Sequence, residues 1–191
     1  MSVASISVDV AGIVAAAKVF ENAADKAPGV IQRALNRSGE QAKTQVTRAL
    51  VKQTGLPRKT IVKAIVPEIG ALTYSLKVRG GDVRVQFFGA KESGKGVEAR
   101  PWNQPRIYAG GFMKQGFKAR VAFTKPGMAG HVFHRVGKSR LPIAQMRSGL
   151  FIPKELLTGA SEIAFQTTVA ATLPKRLDHE LSRLLSGDGS T

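Results

Sequence analysis

The chain has 191 residues, with 29 Lys/Arg against 13 Asp/Glu and a formal net charge of +16. A hydrophobic content of 43% is enough for a packed core, yet no apolar run reaches the roughly 18 residues of a membrane-spanning helix. Cysteine is absent, which excludes disulfide scaffolds, thiol nucleophiles, iron–sulfur clusters and thiolate zinc sites together.

The N-terminal MSVASISVDV has no basic region ahead of an apolar one, so a secretory leader is not expected. Residues 3–8 alternate and predict a short strand. Asp9 is placed to cap a helix whose stripe is Ile13, Val14, Ala17, Phe20 and Ala24. The Asp25–Pro28 run ends that helix and opens a second, predicted to reach Gln53. Its apolar face is Ile31, Ala34, Leu35, Ala42, Val46, Ala49 and Leu50, and its other face carries Arg33, Arg37, Lys43, Arg48 and Lys52. Gly55 is its natural terminator, since glycine takes positive φ without strain. Pro57 opens a short helical turn with Ile61, Val62 and Ile65.

After Pro67 the period changes to two. Tyr74, Leu76 and Val78 alternate with Ser75, Lys77 and Arg79, and after Gly80-Gly81 come Val83, Val85 and Phe87, which predicts a hairpin with a two-residue turn. Residues 89–96 read as a charged, glycine-rich loop, and 103–116 as a long irregular excursion. Residues 117–123 and 131–136 are predicted strands, and 137–153 extended or loop-like chain. Helical spacing returns from Lys154 to Leu185, with Pro174 expected to kink or divide the helix. The fold class is therefore α+β: long N-terminal helices, an antiparallel β-meander with a long basic loop, and a C-terminal helix. The expected organisation is an N-terminal strand and helix extension (1–27), one α+β domain (28–185) and a disordered tail (186–191).

Motifs that would carry chemistry fail on context. GAKESGKG (89–96) approaches a phosphate-binding loop, but Gly96 stands where a magnesium-binding hydroxyl is required and VEARPW follows where a helix should open. His131 and His134 are three apart in a predicted strand, on opposite faces, and His179 is remote. Asp178 and Glu180 read as a solvated helix face. No G-x-S-x-G or S-x-x-K occurs. Neither an enzyme nor a metal or organic cofactor is expected.

The charge is concentrated in the middle. Between Arg33 and Arg147 there are 23 Lys/Arg and five acids, and 99–154 holds eleven cations and no carboxylate. Such a segment calls for an anionic partner, nucleic acid or an acidic protein surface. The charge alone supports contact with a phosphate backbone but not the reading of bases. Residues 28–65 imitate a helix-turn-helix only weakly, and the alternating Phe87, Phe88, Phe117 and Phe123 read as core. A monomeric basic module making sequence-independent backbone contacts is one function compatible with this pattern.

HVFHRVGKSRLPIAQMRSGLFIP (131–153) resembles the signature of the minor tail protein Z family, the tail-completion proteins of long-tailed phages and prophages. Its strongest part is Val132-Phe133 with Arg135, Gly137-Lys138 and Arg140-Leu141-Pro142-Ile143. ALNRSGEQAKTQVTRAL (34–50) is similar to that family's N-terminal helix, and the likeness spans residues 30–157. Gly149–Pro153 departs from it, where a Gly-Pro-Ser-Ile-Pro type of segment is expected. The resemblance implies a virion protein at the head-proximal end of the tail, assembled in the host cytoplasm. It implies a ring, with six subunits expected, around the DNA channel, with the tail tube, tail terminator and head–tail connector as partners and no membrane. On that reading Arg100, Arg106, Lys114, Lys118, Arg120 and Lys125 are candidates to face DNA in the channel, and Arg135, Lys138 and Arg140 to contact subunits or partners.

Overall fold

In the computed structural model the described residues are 2–9, 26–113 and 130–185. The predicted helix over 10–24, the strand over 117–123 and the tail after 185 lie outside them. The first strand, β1 (Ser2–Asp9), is followed by the long helix α1 (Ala27–Thr54). Helix α1 forms because Val30, Ile31, Ala34, Leu35, Ala42, Val46 and Leu50 recur at helical spacing and are all buried. Pro28 occupies its first turn, and Gly55 closes it at φ 73° with its N–H on the Val51 carbonyl at 3.0 Å. A short helix α2 (Arg58–Ala64) runs directly into β2 (Ile65–Ile69). The sequence reading missed this strand. Pro67 turns Val66 away from helical backbone, and the β-branched Ile65, Val66 and Ile69 suit a pleated chain.

Strand β3 (Thr73–Gly80) is the centre of the first sheet, in the order β1-β3-β2, antiparallel throughout. Tyr74, Leu76 and Val78 point into the core, as their alternation predicts. The Gly80-Gly81 hairpin does not form. β1 pairs with β3 along its whole length, from Ser2 opposite Gly80 to Asp9 opposite Thr73, and β2 occupies the other edge from Ile65 to Ile69. With both edges of β3 taken, the chain after Gly81 turns to a different partner. β4 (Asp82–Arg84) pairs with β10 (Arg147–Phe151), and Val85–Phe88 coils into a 3-10 turn that buries Val85 and Phe88. Pro67, at the middle of edge strand β2, offers no N–H to a further strand.

A three-stranded meander follows: β5 (Lys91–Ser93), β6 (Gly96–Ala99) and β7 (Arg106–Tyr108). The segment read as a loop at 89–96 is thus mostly a hairpin turning at Gly94-Lys95, and part of the 103–116 excursion is a strand. β8 (Phe133–Arg135) and β9 (Ile143–Gln145) form another hairpin, tied to Phe112 through the Phe112–Phe133 bridge. The extended chain expected within 137–153 is β9 and β10, and after β10 the chain enters a short helix, α3 (Ile152–Leu156).

Helix α4 (Ala160–Leu185) completes the chain's regular structure. Pro174 does not divide it. Pro174 and Ala170 both lie on the solvent side, so the carbonyl freed by the missing N–H can reach water. α1 and α4 pack antiparallel along their lengths, with Arg33 near the start of α1 against Glu180 near the end of α4, and β3 of the first sheet packs on α1 as well. Gly39 permits that close approach, because a Cβ there would overlap the Tyr74 ring. One core runs through both layers, from Leu35 and Val46 to Leu76, Leu150, Phe165 and Leu173.

Candidate nucleic-acid and partner interface

The residues singled out by the resemblance fall into two places. Arg100 and Arg106 sit together at one end of the meander, since Ala99 and Arg106 are register partners and Arg100 is the next residue. Arg100 is 70% exposed, with its guanidinium 4.0 Å from Glu98, too long for a firm pair. Arg106 lies over the Tyr108 ring, 5.3 Å from its centroid. Lys114, Lys118, Arg120 and Lys125 lie outside the described residues.

The chain between Arg100 and Arg106 is held by α1. Trp102 and Asn103 take left-handed backbone, φ 53° and 60°, which costs non-glycine residues about 1–3 kcal/mol each. Asn103 Nδ2 donates to the Lys52 carbonyl at 2.7 Å, and Trp102 Nε1 donates to Glu155 Oε1 at 3.0 Å. The second oxygen of Glu155 accepts from Gln53 Nε2 at 2.6 Å, and its backbone carbonyl accepts from Ser161 Oγ at 2.6 Å. Glu155 thus ties the end of α1, the turn at 101–103 and the start of α4 into one polar junction behind Arg100.

The second place is the β8–β9 hairpin. Its connection, residues 136–142, is exposed at every position. Val136 is 62% and Leu141 68% exposed, a bare aliphatic pair flanking Lys138 and Arg140. The base is closed by the Val136 N–H on the Pro142 carbonyl at 3.1 Å. Arg135 plays a different part from its two neighbours. Its Nη1 donates to the Arg140 carbonyl at 2.7 Å and its guanidinium lies 5.7 Å from the Phe112 ring centre, so it shapes the turn that presents Lys138 and Arg140.

Sequence reasoning misplaced one carboxylate. Asp178 is exposed, but Glu180 is 1% exposed and packs between α1 and α4. Arg33 Nε donates to its Oε2 at 2.9 Å and Arg37 Nη1 lies 3.3 Å from Oε1. The Arg33 hydrogen bond holds this carboxyl below its usual range against the upward pull of burial, and the charges of Arg33, Arg37 and Arg183 add to the lowering. Helical spacing could have hinted at it, since Glu180 continues the face of Leu173 and Leu177.

The phosphate-loop look-alike has no helix after it. Its lysine, Lys95, sits exposed in the β5–β6 turn, where Ser93 Oγ donates to the Gly96 carbonyl at 3.1 Å. His131 Nδ1 is 3.3 Å from Gln145 Nε2. Among the described residues no cluster of three His, Asp or Glu is arranged to hold a metal. No protein-family model, curated protein or solved structure matches this chain. The likeness to tail-completion proteins therefore stands on the residues quoted for it.

Proposed function

We propose that the chain is a structural tail-completion protein that closes the head-proximal end of a phage tail as a ring around the DNA channel and takes part in head–tail joining. The observation that carries this reading is the β8–β9 connection, a fully exposed seven-residue tip with two bare aliphatics and two outward cations. Exposed Val136 and Leu141 cost solvation in a free monomer and gain burial in an assembly, at about 25 cal/mol per Å² of apolar surface covered. The surrounding cations suit an acidic neighbour or DNA. Arg100 and Arg106, on the neighbouring meander, supply charge without base-reading geometry, as a channel lining requires. Six subunits and contacts with the tail tube, tail terminator and connector follow from the resemblance.

Electron microscopy of the purified protein mixed with tail tubes tests this. Rings seated on one end of the tubes are expected, and Val136→Ser with Leu141→Ser abolishes them while the circular dichroism spectrum is unchanged. A protein that stays monomeric and off the tubes, yet binds duplex DNA tightly with a steep salt dependence, is instead a free-standing nucleic-acid-binding module.

A further inference from the structure

Between α1 and the start of α4 lies an open groove of about 960 Å³, its floor formed by Ala49, Val51, Ala160 and Ala164. It continues along the two helices past Gln45 and Arg48 into a second hollow lined by Thr44, Thr167 and Ala171. From Gln41 to Lys52 the trough is about 16 Å long at the rise of an α-helix. Its two banks differ. On the α1 and α2 side stand Arg48, Lys52 and Arg58, all exposed and with no carboxylate within ion-pair distance among the described residues. On the α4 side the lining is small and uncharged, Gly159, Ala160 and Ala164. Glu40 lines the second hollow but already accepts from Tyr74 and pairs with Lys43, while Glu155 at the other end has both oxygens taken by Gln53 and Trp102, and the buried Gln53 Oε1 there has no donor.

A floor of small apolar residues beside a cationic bank calls for an amphipathic occupant carrying carboxylates on one side. Nucleic acid fits poorly, because a phosphate backbone gains nothing from Ala49, Ala160 or Ala164. A second copy's exposed tip fits poorly too, because Lys138 and Arg140 would be brought against Arg48, Lys52 and Arg58. Two antiparallel helices with small residues between them leave room for a third helix at ordinary packing distance. We propose that the α1–α4 groove docks an acidic amphipathic helix of a different protein, apolar face on Ala49, Ala160 and Ala164 and carboxylates toward Arg48, Lys52 and Arg58. This does not depend on ring formation, which is proposed for the exposed tip at 136–142 and is read by a separate assay.

The test uses the full chain and a fluorescein-labelled helical peptide with Leu and Ala on one face and Glu on the other. The control is a peptide of the same composition in scrambled order. Binding is followed by anisotropy, with unlabelled duplex DNA as competitor. The expected result is saturable binding, at least tenfold weaker for the scrambled peptide. Binding should fall at least tenfold in Ala164→Trp, which fills the floor, and in Arg48→Glu with Arg58→Glu. It should be unchanged in Val136→Ser with Leu141→Ser. No binding, equal binding of the two peptides, or indifference to Ala164→Trp overturns the proposal. Loss of DNA binding with peptide binding intact in the charge-reversed variant also overturns it and assigns the bank to nucleic acid. Rings without peptide binding remove only the groove, and peptide binding without rings removes only the tail-completion reading.

Discussion

Glu180→Gln removes one charge from the joint between α1 and α4 and preserves its volume. The native carboxylate accepts from Arg33 at 2.9 Å and faces Arg37 at 3.3 Å. The amide keeps one acceptor but turns an N–H₂ toward two donors. Stripping one partner from a fully buried pair costs about 3–5 kcal/mol. Here the Arg33 and Arg37 side chains are 52% and 48% exposed, so water takes up their stranded charge. The loss is then closer to that of one charge-assisted hydrogen bond, about 2 kcal/mol. Urea unfolding should show this as a lower midpoint with an unchanged slope. The pH dependence has a definite sign. The native carboxyl is held below its ordinary 4.5, so its stabilisation is complete above that value and disappears as pH falls through the native one. The gap between wild type and Glu180→Gln should be the same at neutral and mildly acidic pH and narrow only below the ordinary carboxyl range. A gap under about 0.5 kcal/mol at neutral pH, the scale of an ordinary surface change, refutes the reasoning. A gap that widens in acid refutes it as well.

Gly39→Val should be severely destabilising, by about 3 kcal/mol or more, because the added carbons overlap the Tyr74 ring where α1 meets the sheet; thermal melting of the variant checks this. Tyr74 and Tyr108 are both pushed up, chiefly by burial, with Glu40 adding to the effect at Tyr74. Tyrosinate absorbance should therefore not rise near pH 10 while the protein is folded, and stability should decline above pH 10 as only the unfolded chain ionises. Trp102→Phe removes the indole donor to Glu155 and should cost about 1 kcal/mol. It should also increase amide exchange at residues 100–104, measured by hydrogen–deuterium exchange, since the left-handed backbone at Trp102 and Asn103 is held by that bond.

Helix α1 was legible to within a residue or two because its information is local: an apolar stripe at helical spacing, a proline in the first turn and a glycine just past the end. The buried face of β3 was legible for the same reason. Its partner was not. Alternation says which side of a strand is apolar but not which strand lies beside it, and Gly80-Gly81 lost to β1 and β2, which together saturate β3. Arg100 and Arg106 were singled out by their charge once the resemblance implied a DNA channel, and only the fold made them neighbours. Arg135 could be singled out in the sequence, but its bond to the Arg140 carbonyl could not.

By itself, then, the sequence determined the α+β class, the long helices, the lack of thiol chemistry and the +16 imbalance with its acid-free stretch at 99–154. Each is a property of composition or of neighbours a few residues apart. Only the tertiary structure decided that Glu180 is buried against an arginine 147 residues away, that β4 joins β10, and that Arg48, Lys52 and Arg58 border an apolar groove. Burial and charge environment depend on which distant surfaces meet, and local spacing carries no record of that meeting.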